Sequence, residues 1–343
     1  YIFSSKLFLC DEIMKLTKKQ IENVALFGGV FIVLLIILNV TAPYVYKLFP
    51  NDYSRIGIIL DALKTRTVTP EIVVFGNSKA MSGVDANMIQ EHLSGNPETY
   101  NFSSVGQSIG ESLLFYPMLP DDTKAVIQCF KLEEFTQPLV FNEPAIIALK
   151  MGKYPMNEDI KQLLPKTFWE KLDRPDVYYN FKSRQTVSSG LIRFLRLHLD
   201  EDAPDSGILD DLKFPYLFPS DIDKAPNYQT IIQMLEKEDY SWADDFSISE
   251  ECKDLLIKAN DYLERKNVKL YIAIISHAPD VKGLSSEKQE KIIGKLREEL
   301  PQLKFIDCRK SLTSDDFYDP LHPNKKGAEK ISTIISTAVN ADF

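Results

Sequence analysis

Five short runs along this chain read as strands, most of them continuously apolar: Glu71 to Phe75, Thr99 to Phe102, Ala125 to Phe130, Leu270 to Ser276 and Lys304 to Asp307. A strand with one wet face alternates polar with apolar side chains, whereas a run without alternation must be covered on both faces, which is the habit of parallel strands between helices. Segments with helical periodicity lie between them, at Asp85 to His92, Ile109 to Met118, Ile248 to Lys266, Ser286 to Leu300 and Lys325 to Val339, with polar starts such as Ser285 and Ser286. This alternation predicts an α/β fold with a parallel sheet between layers of helices. Few other arrangements bury so many short apolar runs on two faces at once.

The sheet pattern uses residues 71–130 and 248–343 and passes over 131–247. That stretch reads as a long, mostly helical insertion or cap subdomain. Its aromatics, among them Phe135, Phe141, Tyr154, Phe168, Trp169, Tyr178, Tyr179, Phe214, Tyr216, Phe218 and Trp242, suit ordinary packing, and some would also suit stacking on a sugar ring. Residues 47–70 read as a helical linker.

Ahead of the linker, Val24 to Val40 contains no charged residue and one polar interruption, Asn39. At about 1.5 Å per residue it reaches the short end of a membrane span, and Tyr44 and Tyr46 extend it into an interfacial aromatic belt, so that residues 24–46 form a transmembrane anchor. Lys15, Lys18 and Lys19 precede the run, and the positive-inside rule then places residues 1–23 in the cytoplasm and the folded domain outside, periplasmic or at the cell surface. A cleaved signal peptide ending at Val40-Thr41-Ala42 is the competing reading. Pro43 and the length of the apolar run oppose it. Residues 1–13 differ in character from the rest, and Met14 reads as a natural start with an upstream addition before it.

The net charge of −9 over 343 residues, with no basic cluster beyond short lysine pairs, excludes a nucleic-acid partner, whose phosphates need a basic face. An apolar content of 44% is ample for a sizeable core. The cysteines, Cys10, Cys129, Cys252 and Cys308, are too scattered for a disulfide framework, and no His/Cys spacing suggests a metal. The expectation is therefore a folded domain without metal or cofactor.

Two strings carry the chemistry. Gly76-Asn77-Ser78 follows the first strand, and Asp319-Pro320-Leu321-His322 precedes the last helix. A serine hydroxyl becomes a nucleophile when a histidine takes its proton, and that histidine needs a carboxylate to fix its tautomer. Taken singly, Ser78 also reads as a helix cap, and Asp319 with His322 as a capping pair. Taken together, one string sits at the carboxyl end of a strand, where open parallel sheets form their ligand sites, and the other enters from the loop after the fifth strand. The expectation is convergence of Ser78, His322 and Asp319 at about 2.6 to 3.2 Å.

These residues resemble the SGNH (GDSL-like) hydrolase superfamily, and the resemblance implies a flavodoxin-like, three-layer parallel sheet. The resemblance implies Ser78 as nucleophile, Asp319 and His322 as acid and base, and Gly106 in Asn101-Phe102-Ser103-Ser104-Val105-Gly106 as the glycine of the second block. It covers roughly residues 70–130 and 250–340. The third block departs from the pattern: where the family carries Gly-x-Asn after the fourth strand, this chain reads Ile274-Ile275-Ser276-His277-Ala278-Pro279. The asparagine that would donate to the oxyanion is missing there, leaving the backbone N–H groups of Ser78 and Gly106, with Asn77 or Asn101 as amide donors. His277 stands as either a strand-end residue or a further catalytic one.

An anchor joined to such a domain is similar to envelope proteins that move O-acyl groups onto lipoteichoic acid or exported polysaccharide beside a membrane-bound O-acyltransferase. The resemblance thus implies a serine O-acyltransferase acting on envelope carbohydrate. Simple ester hydrolysis, and a catalytically weak carbohydrate-binding or scaffold role, stay open at this point.

Overall fold

The computed structural model describes residues 18–48, 55–173, 195, 211–215, 224–282 and 284–342. The readings made above for residues 1–17, for Tyr178, Tyr179, Tyr216 and Phe218, and for the side chains of Tyr44 and Tyr46 lie outside the described residues. Twelve α-helices are described: α1 (Lys18–Leu48), α2 (Arg55–Thr65), α3 (Ser78–Gly83), α4 (Ala86–His92), α5 (Ile109–Leu113), α6 (Glu143–Met151), α7 (Glu158–Leu163), α8 (Lys166–Asp173), α9 (Tyr228–Leu235), α10 (Glu250–Glu264), α11 (Ser286–Glu299) and α12 (Lys325–Asn340).

Five strands, β1 (Ile72–Phe75), β2 (Thr99–Asn101), β3 (Ala125–Phe130), β4 (Lys269–Ile274) and β5 (Lys304–Asp307), pair in parallel in the order β2-β1-β3-β4-β5. Each matches an apolar run of the sequence to within two residues at either end. Alternate side chains feed two cores. Val73, Phe75, Val126, Phe130, Ile272 and Ile274 enter one, with residues of α2, α6, α10 and α11. Ile72, Val74, Ile127, Cys129, Tyr271 and Ala273 enter the other, with residues of α4, α9 and α12. Every residue of β1 and β3 is buried. At roughly 1.5–3 kcal/mol for each large aliphatic or aromatic side chain removed from water, such runs hold no other position as well as the middle of a covered sheet.

The helix ends follow their local chemistry. Asp85, Ser249, Ser285 and Asn324 cap α4, α10, α11 and α12, each accepting backbone N–H groups of the first turn. The predicted helix over 109–118 instead stops at Leu113 and resumes as a single 3₁₀ turn, Tyr116–Met118, because Pro117 supplies no N–H to continue the ladder.

Two boundaries differ from the sequence reading. The segment read as a linker holds α2, whose Ile56, Ile59, Leu60 and Leu63 are buried in the first core; their spacing on one helical face makes α2 part of the sandwich. The described part of 131–247 is helical, but Phe135, Ile146, Leu149, Ile160 and Phe168 share that same core rather than forming one of their own. Its aromatics pack inward: Phe135 stacks on Phe130, Phe141 meets Phe168 at a tilt, and Trp242 meets Phe246 edge-on.

α1 stands apart from this packing. Lys18–Thr41 is long and apolar enough to cross a membrane, and none of it is buried. Cys129, Cys252 and Cys308 are free and buried.

Candidate active site

The nucleophile turn begins where β1 ends. Gly76 has φ +156°, and a Cβ there would lie 2.8 Å from the Cβ atoms of both Ala80 and Cys129, so only glycine fits. Asn77 caps α3 by accepting the Lys79 N–H at 2.9 Å, which leaves Ser78 as the first residue of the helix, without an intrahelical acceptor for its own N–H. The sequence thus aims Ser78 upward by two local devices, a forced glycine and an Asx cap.

The partner string folds as a tight hairpin rather than a loop running into a helix. β6 (Phe317–Asp319) pairs antiparallel with β7 (His322–Pro323), and Asp319 faces His322 across the turn. Asp319 Oδ1 accepts the N–H groups of Leu321 (2.7 Å) and His322 (2.9 Å), which locks the carboxylate. His322 Nδ1 lies 3.0 Å from Asp319 Oδ2, and His322 Nε2 lies 2.9 Å from Ser78 Oγ. With Nδ1 protonated toward the carboxylate, Nε2 accepts the serine hydroxyl proton. Burial pushes the Asp319 carboxyl upward, but the hydrogen bond and charge of His322 and the two N–H donors outweigh it and hold the group below its ordinary range.

Ser78 and His322 line a cavity of about 470 Å³. Gly106, which lines it too, has φ +64°, and its N–H has no protein acceptor among the described residues. The loop before it is zipped to the nucleophile turn, since Ser104 N–H donates to Gly76 O at 3.0 Å and Gln107 Oε1 accepts from Ser104 N–H and Gly76 N–H.

The amides proposed from sequence are engaged elsewhere. Asn101 is fully buried behind the loop, donating to the carbonyls of Ala80 (3.0 Å) and Val84 (2.7 Å), because its side chain points into the sheet-to-helix joint and away from the cavity. Asn77 lines the cavity but donates to Glu134 Oε1 at 2.8 Å. A residue that sequence reasoning missed lies beside Gly106. Asn142, at the start of α6, lines the cavity, and its Nδ2 lies 3.1 Å from where a Cβ on Gly106 would sit. One of its amide hydrogens goes to Val105 O at 3.2 Å, and the amide carries a second. Buried Glu111 fixes the pair, accepting the N–H of Ser108 (2.8 Å) and of Asn142 (2.8 Å). The one signal in the sequence was Asn-x-Pro at a helix start, which marks a cap and not a donor.

His277 also lines the cavity. It belongs to a partly buried cluster of ionisable groups, with its Nε2 3.8 Å from Glu133 and Lys131 Nζ 3.1 Å from the same carboxylate. Lys79, next to the nucleophile, is buried with no hydrogen-bond partner at Nζ, and burial lowers its pKa to about 8. Burial works against charge on Glu133 as well, yet Lys79, His277 and Lys131 together bring it down to about 2. Glu134 rises to about 7 through burial, and His277 falls to about 3 through burial and the nearby Lys79 charge, which leaves a neutral imidazole in the cavity wall. Among the described residues no group of His, Cys, Asp and Glu is arranged to hold a metal ion.

No family model matches this chain, and no curated protein matches it. The functional reading therefore rests on the geometry.

Proposed function

We propose that this protein is a membrane-anchored serine O-acyltransferase or esterase of the SGNH type, acting on O-acyl groups of cell-envelope carbohydrate. The observation that carries the reading is the continuous Asp319–His322–Ser78 hydrogen-bond chain at the wall of a cavity. A serine held this way attacks an acyl carbonyl while His322 Nε2 takes the Oγ proton. The tetrahedral oxyanion is met by the N–H groups of Ser78 and Gly106 and by the amide of Asn142. His322 returns the proton to the departing alkoxide, leaving an acyl-serine. A carbohydrate hydroxyl then gives its proton to His322 and takes the acyl group. Gly106 is exposed, so water reaches the same rim, and hydrolysis is the second reading.

α1 would hold the domain on the outer face of the membrane with residues 1–23 cytoplasmic, where a membrane-bound O-acyltransferase is the fitting source of acyl groups. The test is to incubate the full chain, in detergent, with p-nitrophenyl acetate. A burst of p-nitrophenol and an acetyl group on the peptide carrying Ser78 support the reading. Equal turnover by Ser78→Ala refutes it, and transfer to a sugar in excess of hydrolysis selects the transferase.

A further inference from the structure

The chain enters its folded domain at the catalytic rim. α2 begins at Arg55, which is fully buried and donates to the carbonyls of Asn101 (2.6 Å), Ser103 (2.7 Å) and Asp211 (2.8 Å). Asn101 ends β2, and Ser103 lies in the loop that carries Gly106. Because β2 runs parallel to β1, this is the same rim as Ser78. α2 then leads away from the rim, and the chain returns into β1 at the amino ends, where Glu71 N–H meets Glu98 O at 2.8 Å. α6 starts at the rim too and runs alongside α2, with Gly57 against Ala148 and Leu60 against Gly152.

The apolar helix α1 ends at Leu48, and Arg55 follows after residues 49–54. Even at full extension, seven peptide steps span about 25 Å at ~3.6 Å each. A domain entered at its catalytic rim by so short a tether presents that rim, and not the opposite one, toward whatever holds α1. The mouth is also apolar on one side. Pro138, Leu139 and Val140 line it, and Val140 is 69% exposed, the largest exposure of any large apolar side chain described outside α1. Pro138, Leu139 and Val140 thus form a contiguous apolar lip, of which Pro138 and Val140 are exposed, and apolar surface of this kind gains when it is seated against acyl chains.

We propose that the rim bearing Ser78 faces the lipid bilayer, with the Pro138-Leu139-Val140 lip seated on the lipid surface, so that substrate reaches the cavity from a membrane-held molecule. The seat of the lip rests on α1 as anchor; the statement about substrate rests also on the function proposed above.

The test uses the full chain with Cys10→Ser, since the other three thiols are buried. Val140→Cys is labelled with an environment-sensitive dye and reconstituted in phosphatidylcholine vesicles with or without doxyl-labelled lipid. Asp121→Cys, exposed at the opposite rim just before β3, serves as the comparison site. The expected result is severalfold stronger quenching by doxyl lipid at position 140 than at 121. Equal quenching at the two sites, stronger quenching at 121, or release of the chain by alkaline carbonate overturns the proposal. Shielding of position 140 in native membranes but not in pure lipid overturns the lipid seat in favour of a protein one. Quenching at 140 in a chain whose Ser78 is never acylated by an activated ester keeps the placement and removes the function.

Discussion

Gly106→Ala tests the oxyanion reading most directly, because the structure separates its effect on folding from its effect on turnover. Gly106 has φ +64°, where an L-residue costs roughly 1–2 kcal/mol. The new methyl would sit 3.1 Å from Asn142 Nδ2, a contact that the amide relieves by moving a few tenths of an ångström. For a domain of this size, about 2–4 °C per kcal/mol, the melting temperature should fall by about 2–8 °C, and the protein should remain folded at 25 °C. Turnover should suffer more. The same shift displaces one donor and tilts another, and loss of a single oxyanion donor costs about 10² to 10³ in kcat. With p-nitrophenyl acetate, kcat should drop by that factor while KM changes little, since these donors act on the oxyanion and not on the ground-state ester. Asn142→Ala should give a comparable loss, and the double variant less than the product of the two, because both act on one oxyanion. A Gly106→Ala enzyme that melts lower but keeps kcat within twofold would refute the assignment.

Four further outcomes are expected. Asp319→Asn should fold normally and lose about 10⁴ in kcat, since the imidazole is left in the wrong tautomer; circular dichroism and ester turnover check both halves. Arg55→Met leaves carbonyls of Asn101, Ser103 and Asp211 without their buried donor, at about 1–3 kcal/mol each, and should lower the urea midpoint sharply, whereas an unchanged midpoint would contradict the contact. Lys79→Met removes a cation that disfavours charge on His277, so the imidazole C–H titration followed by NMR should move up from about 3 toward the ordinary value; an unmoved titration denies the coupling. Glu111 is raised from 4.5 to about 8 by burial, so between those two pH values the folded state holds a proton that the unfolded chain has released, and stability falls as pH rises through that window. Glu111→Gln should remove up to about 1.4 kcal/mol per pH unit of that slope, read from urea unfolding at each pH.

Much of the fold was legible because its rule is local. A run such as Ile72-Val73-Val74-Phe75, apolar at every position, leaves few alternatives to a strand covered on both faces, and a polar residue such as Ser285 or Asn324 ahead of a periodic segment marks where a helix starts. The meeting of Ser78 with His322 was legible for a different reason: parallel connection brings the carboxyl ends of all the strands to one rim, so residues placed there in sequence become neighbours in space. What was not legible depended on direction. Asn101 stands at the right end of the right strand and still turns inward to Ala80 and Val84, and α2 carries the spacing of a packed helix that a composition reading takes for a linker.

The physical reason that Asn142, the proposed third donor, escaped a search by motif is its lack of a local constraint. A nucleophile turn is held by constraints between neighbours in sequence: Gly76 because no Cβ fits, Asn77 because it caps the helix that Ser78 opens. An oxyanion donor needs only a polar hydrogen in one place, and any segment that passes the cavity can bring it. Here the passing segment is the start of α6; Glu111 holds its backbone, accepting the N–H of Ser108 beyond Gly106 with one oxygen and that of Asn142 with the other, while the Asn142 side-chain amide itself donates to Val105 O. That carboxyl is buried and drawn toward its neutral form, so its two bonds tighten when it ionises and slacken when it is protonated. The donor geometry is thus tied to a group 31 residues away in sequence, a dependence that becomes visible only when both loops are seen around the same cavity.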